Sequence, residues 1–519
     1  MRVQTVIRKN TYYDSVTLML ISKDIKNIDG VNECLIGMGT DLNKELVENL
    51  NLATDDIRAL SGNDFFIVID SDVDGIIDTV ETTVDELLSN TKSDDGDDDF
   101  SPATLDSAVK YQPETNMVII SVPGKYAKAE AMKALKKDLH VMLFSDNMPV
   151  EEEKELKEYA VANDLLLMGP DCGTAIINNV PLAFANVINK GPIGIVAASG
   201  TGTQEVSCLI HKLGHGVSQV IGTGGRDLKS EVGGLMMIHG IKALINDPAT
   251  EVIVLISKPP APEVAIKVLE LVKTTDKPFV VNFIGGNPED AVNAGAYAAL
   301  SLEDTAYKAV ALLEKKEVVD FDSFQMGEEA ANKIIAEESA KLKEDQVYIR
   351  GLYTGGTLAE EAIKLITNEL GEDVWSNIPL HPEYKLVDTS RSLEHTCIDL
   401  GDDEFTVGRP HPMIDPTTRT DRMVQECEGD VGVILFDVVL GYGSNEDPAG
   451  AMVPYIKEAK EKMAAMGKEM VFVGSICGTD ADYQDAEESQ RVLEEIGCII
   501  MPSNAQAIRL AARILKANK

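Results

Sequence analysis

With 519 residues the chain exceeds what one hydrophobic core organises, so several domains are expected. Lys and Arg total 47 against 86 Asp and Glu, a net charge of −39; this repels nucleic acid and anionic membrane, and any anionic substrate must find local donors. Seven cysteines without a C-x-x-C spacing argue against a disulfide framework or structural zinc, and no apolar run approaches membrane-spanning length or resembles a signal region, so a soluble cytoplasmic protein is expected.

In chain order, residues 2–8 alternate as a strand, 11–28 have helical periodicity, and 31–38 and 65–70 are further strands, giving a small α/β domain over 1–92. Gly37-Met38-Gly39-Thr40 lacks the spacing of a dinucleotide loop and reads as a turn followed by an N-cap. The acidic run 92–99 reads as a linker or exposed loop; it lacks the ligand order and closing Glu of a calcium loop. From residue 117, strands at 117–122, 141–145 and 165–168 alternate with helices at 127–135 and 151–163. This demands a parallel, helix-covered sheet, assigned to a Rossmann-like domain over 93–185 with 170–174 as its closing turn.

A second α/β domain, 186–320, holds strands at 193–197, 217–222, 252–256 and 279–283. A charged connector, assigned to 321–346, precedes a third α/β domain over 347–519. The fold class is thus α/β, several Rossmann- or flavodoxin-like parallel-sheet domains behind a small α/β N-terminal domain.

Two glycine-threonine stretches stand out: Ser199-Gly200-Thr201-Gly202-Thr203 and Tyr353-Thr354-Gly355-Gly356-Thr357. Each follows a strand and opens a helix, so each offers free backbone N–H groups, small hydroxyls and a positive helix end, which suits phosphate. Ser199, Gly200, Thr201, Gly202, Thr203, Gly355, Gly356 and Thr357 form the predicted phosphate set, expected to face a single phosphate. Gly224-Gly225-Arg226 and Gly285-Gly286-Asn287 also follow strands, at the carboxyl edge where ligands gather in parallel sheets. The polar insertion 399–422 carries Arg409, His411, Arg419 and Arg422.

In this order the motifs resemble succinyl-CoA synthetase. Residues 117–320 are similar to its α subunit, through MGPDCG at 168–173, the stretch 193–205 and GTGG at 222–225. Residues 347–519 are similar to the carboxyl-terminal domain of its β subunit, through 353–360 and IDLG at 398–401. With the N-terminal domain and GSICGTD at 474–480, the whole chain resembles the FdrA group of that superfamily.

The resemblance implies that the two helix starts flank a phosphorylated group, that Glu205 matches a glutamate meeting the family histidine, and that Asp399 orients the insertion. Where the family carries its histidine, residues 285–296 have none; the early CoA glycine loop and an ATP-grasp domain are also missing. The resemblance to FdrA therefore implies a subunit of an oxamate carbamoyltransferase of allantoin degradation, acting on carbamoyl phosphate and oxamate with partner subunits.

The expected catalytic residues are Glu205, Asn287 and Arg226, against plain readings as a helix charge, a turn cap and an ion pair. Asp399, Arg409, His411 and Arg419 are expected to bind substrate. Cys477 reads as a small packed residue rather than a nucleophile, and His211, His215 and His239 lack metal-ligand spacing. No metal or cofactor is required; CoA and ATP enter only if the chain is an acyl-CoA synthetase subunit. A non-catalytic phosphate-sensing scaffold is the third reading. Expected partners are small anionic metabolites and companion subunits, in a hetero-oligomer or homo-oligomer.

Overall fold

The structure, a computed structural model, describes residues 2–73, 75–90, 102, 104–407 and 409–519; the acidic run lies outside the described residues. The chain divides into a smaller unit, Met1–Pro102 with Asp403–His411, and a larger one, Ala103–Asp402 with Pro412–Lys519.

In the smaller unit β3 (Phe65–Asp70) lies between β1 (Val3–Arg8) and β2 (Glu33–Met38), antiparallel to both. Every residue of β3 is buried because both faces are covered. Phe65, Ile67 and Ile69 pack on Leu18, Ile21, Ile25, Val80 and Val84 from two helices, while Phe66 and Val68 meet Val47, Leu52, Ile57 and Leu60. The predicted helix over 11–28 is Ser15–Lys26, started by Asp14 accepting the N–H of Thr17. Thr40 caps helix Asp41–Asn49.

The larger unit holds three sheets. The first is parallel: β4 (Met117–Ile120), β5 (His140–Leu143) and β6 (Leu167–Met168). The second has seven strands. Its parallel part is β9 (Lys190–Ala197), β10 (Val217–Gly222), β11 (Val252–Ser257), β12 (Phe279–Phe283) and β13 (Tyr297–Ala298). The hairpin β7 (Thr174–Ile177) and β8 (Val180–Ala183) extends it antiparallel to β10. Its two-residue turn, Asn178-Asn179, has positive φ at both residues, which asparagine tolerates. Residues 174–183, which follow the expected closing turn and were assigned to the domain over 93–185, thus form two strands of the next sheet.

The third sheet comprises β14 (Tyr348–Tyr353), β15 (Thr396–Asp399), β16 (Val431–Val439), β17 (Val471–Cys477) and β18 (Cys498–Met501), all parallel. Its order, β15-β14-β16-β17-β18, and the order β10-β9-β11-β12-β13 are the same flavodoxin-like 2-1-3-4-5 arrangement. In each sheet the first strand sits where the strand order reverses, and ligands bind beyond the carboxyl end of such a strand. Ser199 follows β9 and Thr354 follows β14, so both glycine-threonine stretches occupy switch points.

Four helices join these two halves: Gly200–Lys212, Leu302–Leu313, Gly356–Leu370 and the C-terminal Asn504–Asn518. Their apolar faces share one core with both sheets, including Val206, Leu302, Leu358 and Ile508. Asn186 adds a polar clamp, donating to Asp482 at 2.8 Å and to the carbonyl of Leu440 at 2.9 Å. The connector assigned to 321–346 is helical over Glu328–Ser339, where Ala331 and Ile335 supply its buried face.

Candidate functional site

The two glycine-threonine stretches meet. Ser199 Oγ lies 2.7 Å from Thr357 Oγ1, so the helix ends after β9 and β14 face each other. Small residues permit this approach: a Cβ on Gly355 would stand 2.5 Å from Thr201 Cγ2, and one on Gly202 would stand 2.8 Å from Thr357 Cγ2.

The two ends differ in how their N–H groups are used. Ser199 caps its own helix, accepting the N–H of Gly202 at 3.1 Å. Helix Gly356–Leu370 starts at Gly355, which has no capping side chain. Among the described residues no acceptor meets the N–H of Gly355, Gly356 or Thr357. An uncapped helix start beside a capped one, with Ser199, Gly356 and Thr357 half-buried and Gly200 exposed, leaves donors available for an incoming anion.

Charged residues frame this mouth. Thr354 is fixed by Asp437, which accepts its N–H at 2.9 Å and its hydroxyl at 2.8 Å. Asp437 in turn pairs with Arg419 Nη1 at 3.0 Å. Asp399, at the end of β15, accepts the N–H of Gly401 at 2.9 Å, and its Oδ2 lies 2.5 Å from where a Gly356 Cβ would be. Burial pushes the Asp399 carboxyl up to about 7, aided by Asp402 and Asp437 and opposed by the Gly401 N–H and Lys258. Lys258, just after β11, pairs with Glu360 in the second turn of the Gly356 helix. Ile378 approaches Gly356, and Leu380 approaches Gly285. Lys258 was not among the predicted residues, since Ser257-Lys258-Pro259-Pro260 carries no motif; only its place after a central strand marks it.

Several predicted residues are used elsewhere. Glu205 faces inward, 2% exposed, and accepts the backbone N–H of Asn504 at 3.0 Å. It belongs to a buried group with Glu361, which accepts the Leu302 N–H at 2.7 Å, and Glu303, which meets Gln506 and Arg509. Glu361 and Glu205 thus accept N–H groups at the starts of helices Leu302–Leu313 and Asn504–Asn518. Arg226 donates to the Met148 carbonyl at 2.8 Å and pairs with Glu153 at 2.9 Å, as the ion-pair reading has it. Glu153 also meets Lys157 at 2.7 Å, and Lys157 meets Asp227 at 2.8 Å, so the four charges lock the three-stranded layer onto the seven-stranded sheet. Asn287 caps helix Pro288–Ala294 by accepting the Glu289 N–H at 3.2 Å.

Arg419 is 2% exposed and acts on Thr354 through Asp437 rather than as a surface cation. Arg409 and His411 lie in the smaller unit, and burial pulls the His411 pKa down to about 4. Arg422 is held by Glu426, Thr389 and Ser392. Cys477 is buried with its thiol well above the ordinary range through Cys208 and burial, as befits a packed residue. His211, His215 and His239 face Asp480, Glu314 and Asp164.

Three family models match this chain: "CoA-ligase" over residues 352–514, "CoA binding domain" over 188–285, and "AllF, heavy metal-associated domain" over 1–102. The succinate–CoA ligase α subunit of Aquifex aeolicus (strain VF5) is 29% identical over 223 residues, 41% of this chain and 70% of that protein. The ATP citrate lyase of Methanothrix soehngenii, solved with citrate and coenzyme A, aligns over 80% of this chain and 85% of its own at 13% identity and a TM-score of 0.35. PH0766 of Pyrococcus horikoshii OT3 aligns over 79% and 86% at 16% identity and a TM-score of 0.32. Sequence and domains define a protein of the succinyl-CoA synthetase superfamily, with CoA-binding and CoA-ligase domains behind an AllF-type N-terminal domain. Within it, the chain belongs to the family of Escherichia coli (strain K12) YahF, to which it is 45% identical over 517 residues, 99% of each chain.

The groups these descriptions imply fit unevenly. Residues 1–102 contain one cysteine, Cys34, which is buried and whose thiol is pushed up to about 12, so it does not fit a thiolate metal site. Among the described residues no cluster of three or more His, Cys, Asp and Glu is arranged for a metal ion. In the three-stranded layer, the turn after β4 has one glycine, Gly124, and a Cβ there would stand 2.2 Å from the Asp146 carbonyl oxygen. That helix start has no room for a side chain and lies outside residues 188–285, which the CoA binding domain model matches. Among the described residues no helix is long and apolar enough to cross a membrane.

Proposed function

We propose that this chain is a subunit of a carbamoyltransferase that acts on carbamoyl phosphate and oxamate, and in the degradative direction splits oxalurate with phosphate. The observation that carries the reading is the 2.7 Å contact between Ser199 and Thr357, which joins two helix starts at switch points of two sheets where residues 285–296 supply no histidine. Such a mouth suits a ready-made acyl phosphate and leaves no resident phosphate acceptor in that loop.

In the transfer, the oxamate amide nitrogen attacks the carbamoyl carbon. A C–N bond forms as the C–O bond to phosphate breaks, and phosphate leaves with the bonding pair. The N–H groups of Gly355, Gly356 and Thr357 and the hydroxyls of Ser199 and Thr357 stabilise its developing charge. Asp399, which burial holds near neutrality, takes the proton from nitrogen. Lys258, a cation beside the mouth, holds the substrate carboxylate. No cofactor is needed, and companion subunits complete the acceptor site.

The test is oxalurate cleavage by phosphate, with this chain alone and mixed with the products of its neighbouring genes, beside an assay for ATP-dependent CoA ester formation. Release of oxamate and carbamoyl phosphate supports the reading. CoA ester formation without oxalurate turnover overturns it in favour of the ligase alternative that the 352–514 match suggests. Sulfate binding with neither activity favours a phosphate-sensing scaffold.

A further inference from the structure

The helix that begins at the mouth with Gly200 ends at Lys212, about 18 Å away along its axis. There it borders a cavity of 420 Å³, lined by Asn189, His211 and Lys212 from one half of the larger unit and by Asp480, Glu487 and Gln490 from the other. The floor is the segment after β17, Gly478-Thr479-Asp480, beyond the carboxyl end of a parallel strand. Its volume and its place at a strand end are compatible with a small-molecule site.

The polar groups define what enters. The Asn189 N–H donates to His211 Nδ1 at 3.1 Å, which leaves the ring proton on Nε2, donating to Asp480 Oδ1 at 2.7 Å. Asp480 presents its carboxylate to the cavity. Glu487, exposed in the first turn of helix Ala486–Glu495, adds a second carboxylate. Gln490 donates one of its two amide N–H groups to Glu494 and offers its carbonyl as an acceptor. Opposite charge comes from Lys212, whose ammonium donates once to the Ile476 carbonyl at 2.9 Å and has two N–H groups left.

We propose that this cavity binds a small zwitterion of amino-acid size, its ammonium held by Asp480, Glu487 and Gln490 and its carboxylate by Lys212. The two carboxylates repel phosphate esters, so the site is distinct in chemistry from the mouth at the other end of the same helix.

Calorimetric titration of the full chain with glycine, L-glutamine and 4-aminobutyrate, with methylammonium and acetate as half-ligands, tests this. One zwitterion binds saturably at one per chain, at least roughly tenfold more tightly than either half-ligand. Glu487→Gln and Lys212→Met each weaken it by about tenfold or more, while sulfate binding at the mouth is unchanged. Asp480→Asn, on a residue 84% exposed, repeats the loss without perturbing the fold. The assignment is overturned if no zwitterion saturates below ~10 mM, if a half-ligand binds as well, or if the exposed-site variants Glu487→Gln and Asp480→Asn leave binding unaltered.

Discussion

Glu205 is a buried carboxyl whose proton matters to stability. Burial pushes it up from 4.5 to about 7, against the Lys212 charge and the Asn504 N–H. The folded chain holds a proton there that the unfolded chain releases near 4.5, so stability is full below that value and is lost as pH rises toward 7. Glu205→Gln keeps an acceptor for Asn504 without the charge. It should be more stable than the wild type at pH 8 by on the order of 3 kcal/mol, with little difference at acid pH, in urea unfolding. An equal effect at both pH values would show that the carboxyl ionises freely.

At Asp399 the same effect reaches the mouth. Above about 7 its negative charge stands beside the Gly356 helix start and opposes an anion. Sulfate stays a dianion across this range, so its affinity should fall severalfold from about pH 6 to about pH 8, and Asp399→Asn should remove the fall. A pH profile unchanged in the variant would place the titrating group elsewhere. Residues of this kind were legible where chemistry is local: the hydroxyls and glycines of the two loops need only their neighbours. The pairings of Arg226 and Arg419 were not legible because their partners, Glu153 and Asp437, come from other elements. Lys258 was invisible because its position depends on strand order.

Between elements, the closeness of the two loops is a steric condition. Gly355 has φ −128°, which any residue adopts, so Gly355→Ala acts through its methyl alone, 2.5 Å from Thr201 Cγ2 and 2.6 Å from its hydroxyl. The variant should break the Ser199–Thr357 contact, cost about 1–3 kcal/mol, and weaken sulfate binding roughly tenfold, read by unfolding and calorimetry. Retained affinity would mean that one helix end suffices. Strand-helix alternation made both 2-1-3-4-5 sheets legible, since period and β-branched runs are local signals. The hairpin β7-β8 was missed because short edge strands beside turn residues carry no such period.

Over the whole molecule the charge of −39 acts at long range, whereas the donors at the mouth are mostly neutral N–H and O–H groups. Screening should therefore help an anion reach this site. Sulfate affinity should rise as potassium acetate goes from about 10 mM to about 150 mM, where the Debye length falls from ~30 to ~8 Å. A fall would identify Lys258, rather than the helix ends, as the dominant contact.

The meeting of Ser199 and Thr357 has a further consequence, in the language of effective concentration. Both halves of the mouth belong to one polypeptide, so each loop meets the other at a local concentration on the order of millimolar, whatever the concentration of the protein. Sulfate affinity should be the same at micromolar and nanomolar protein. A chain cleaved within the exposed stretch 314–317 should match it when concentrated and lose it on dilution, with the dissociation of its halves.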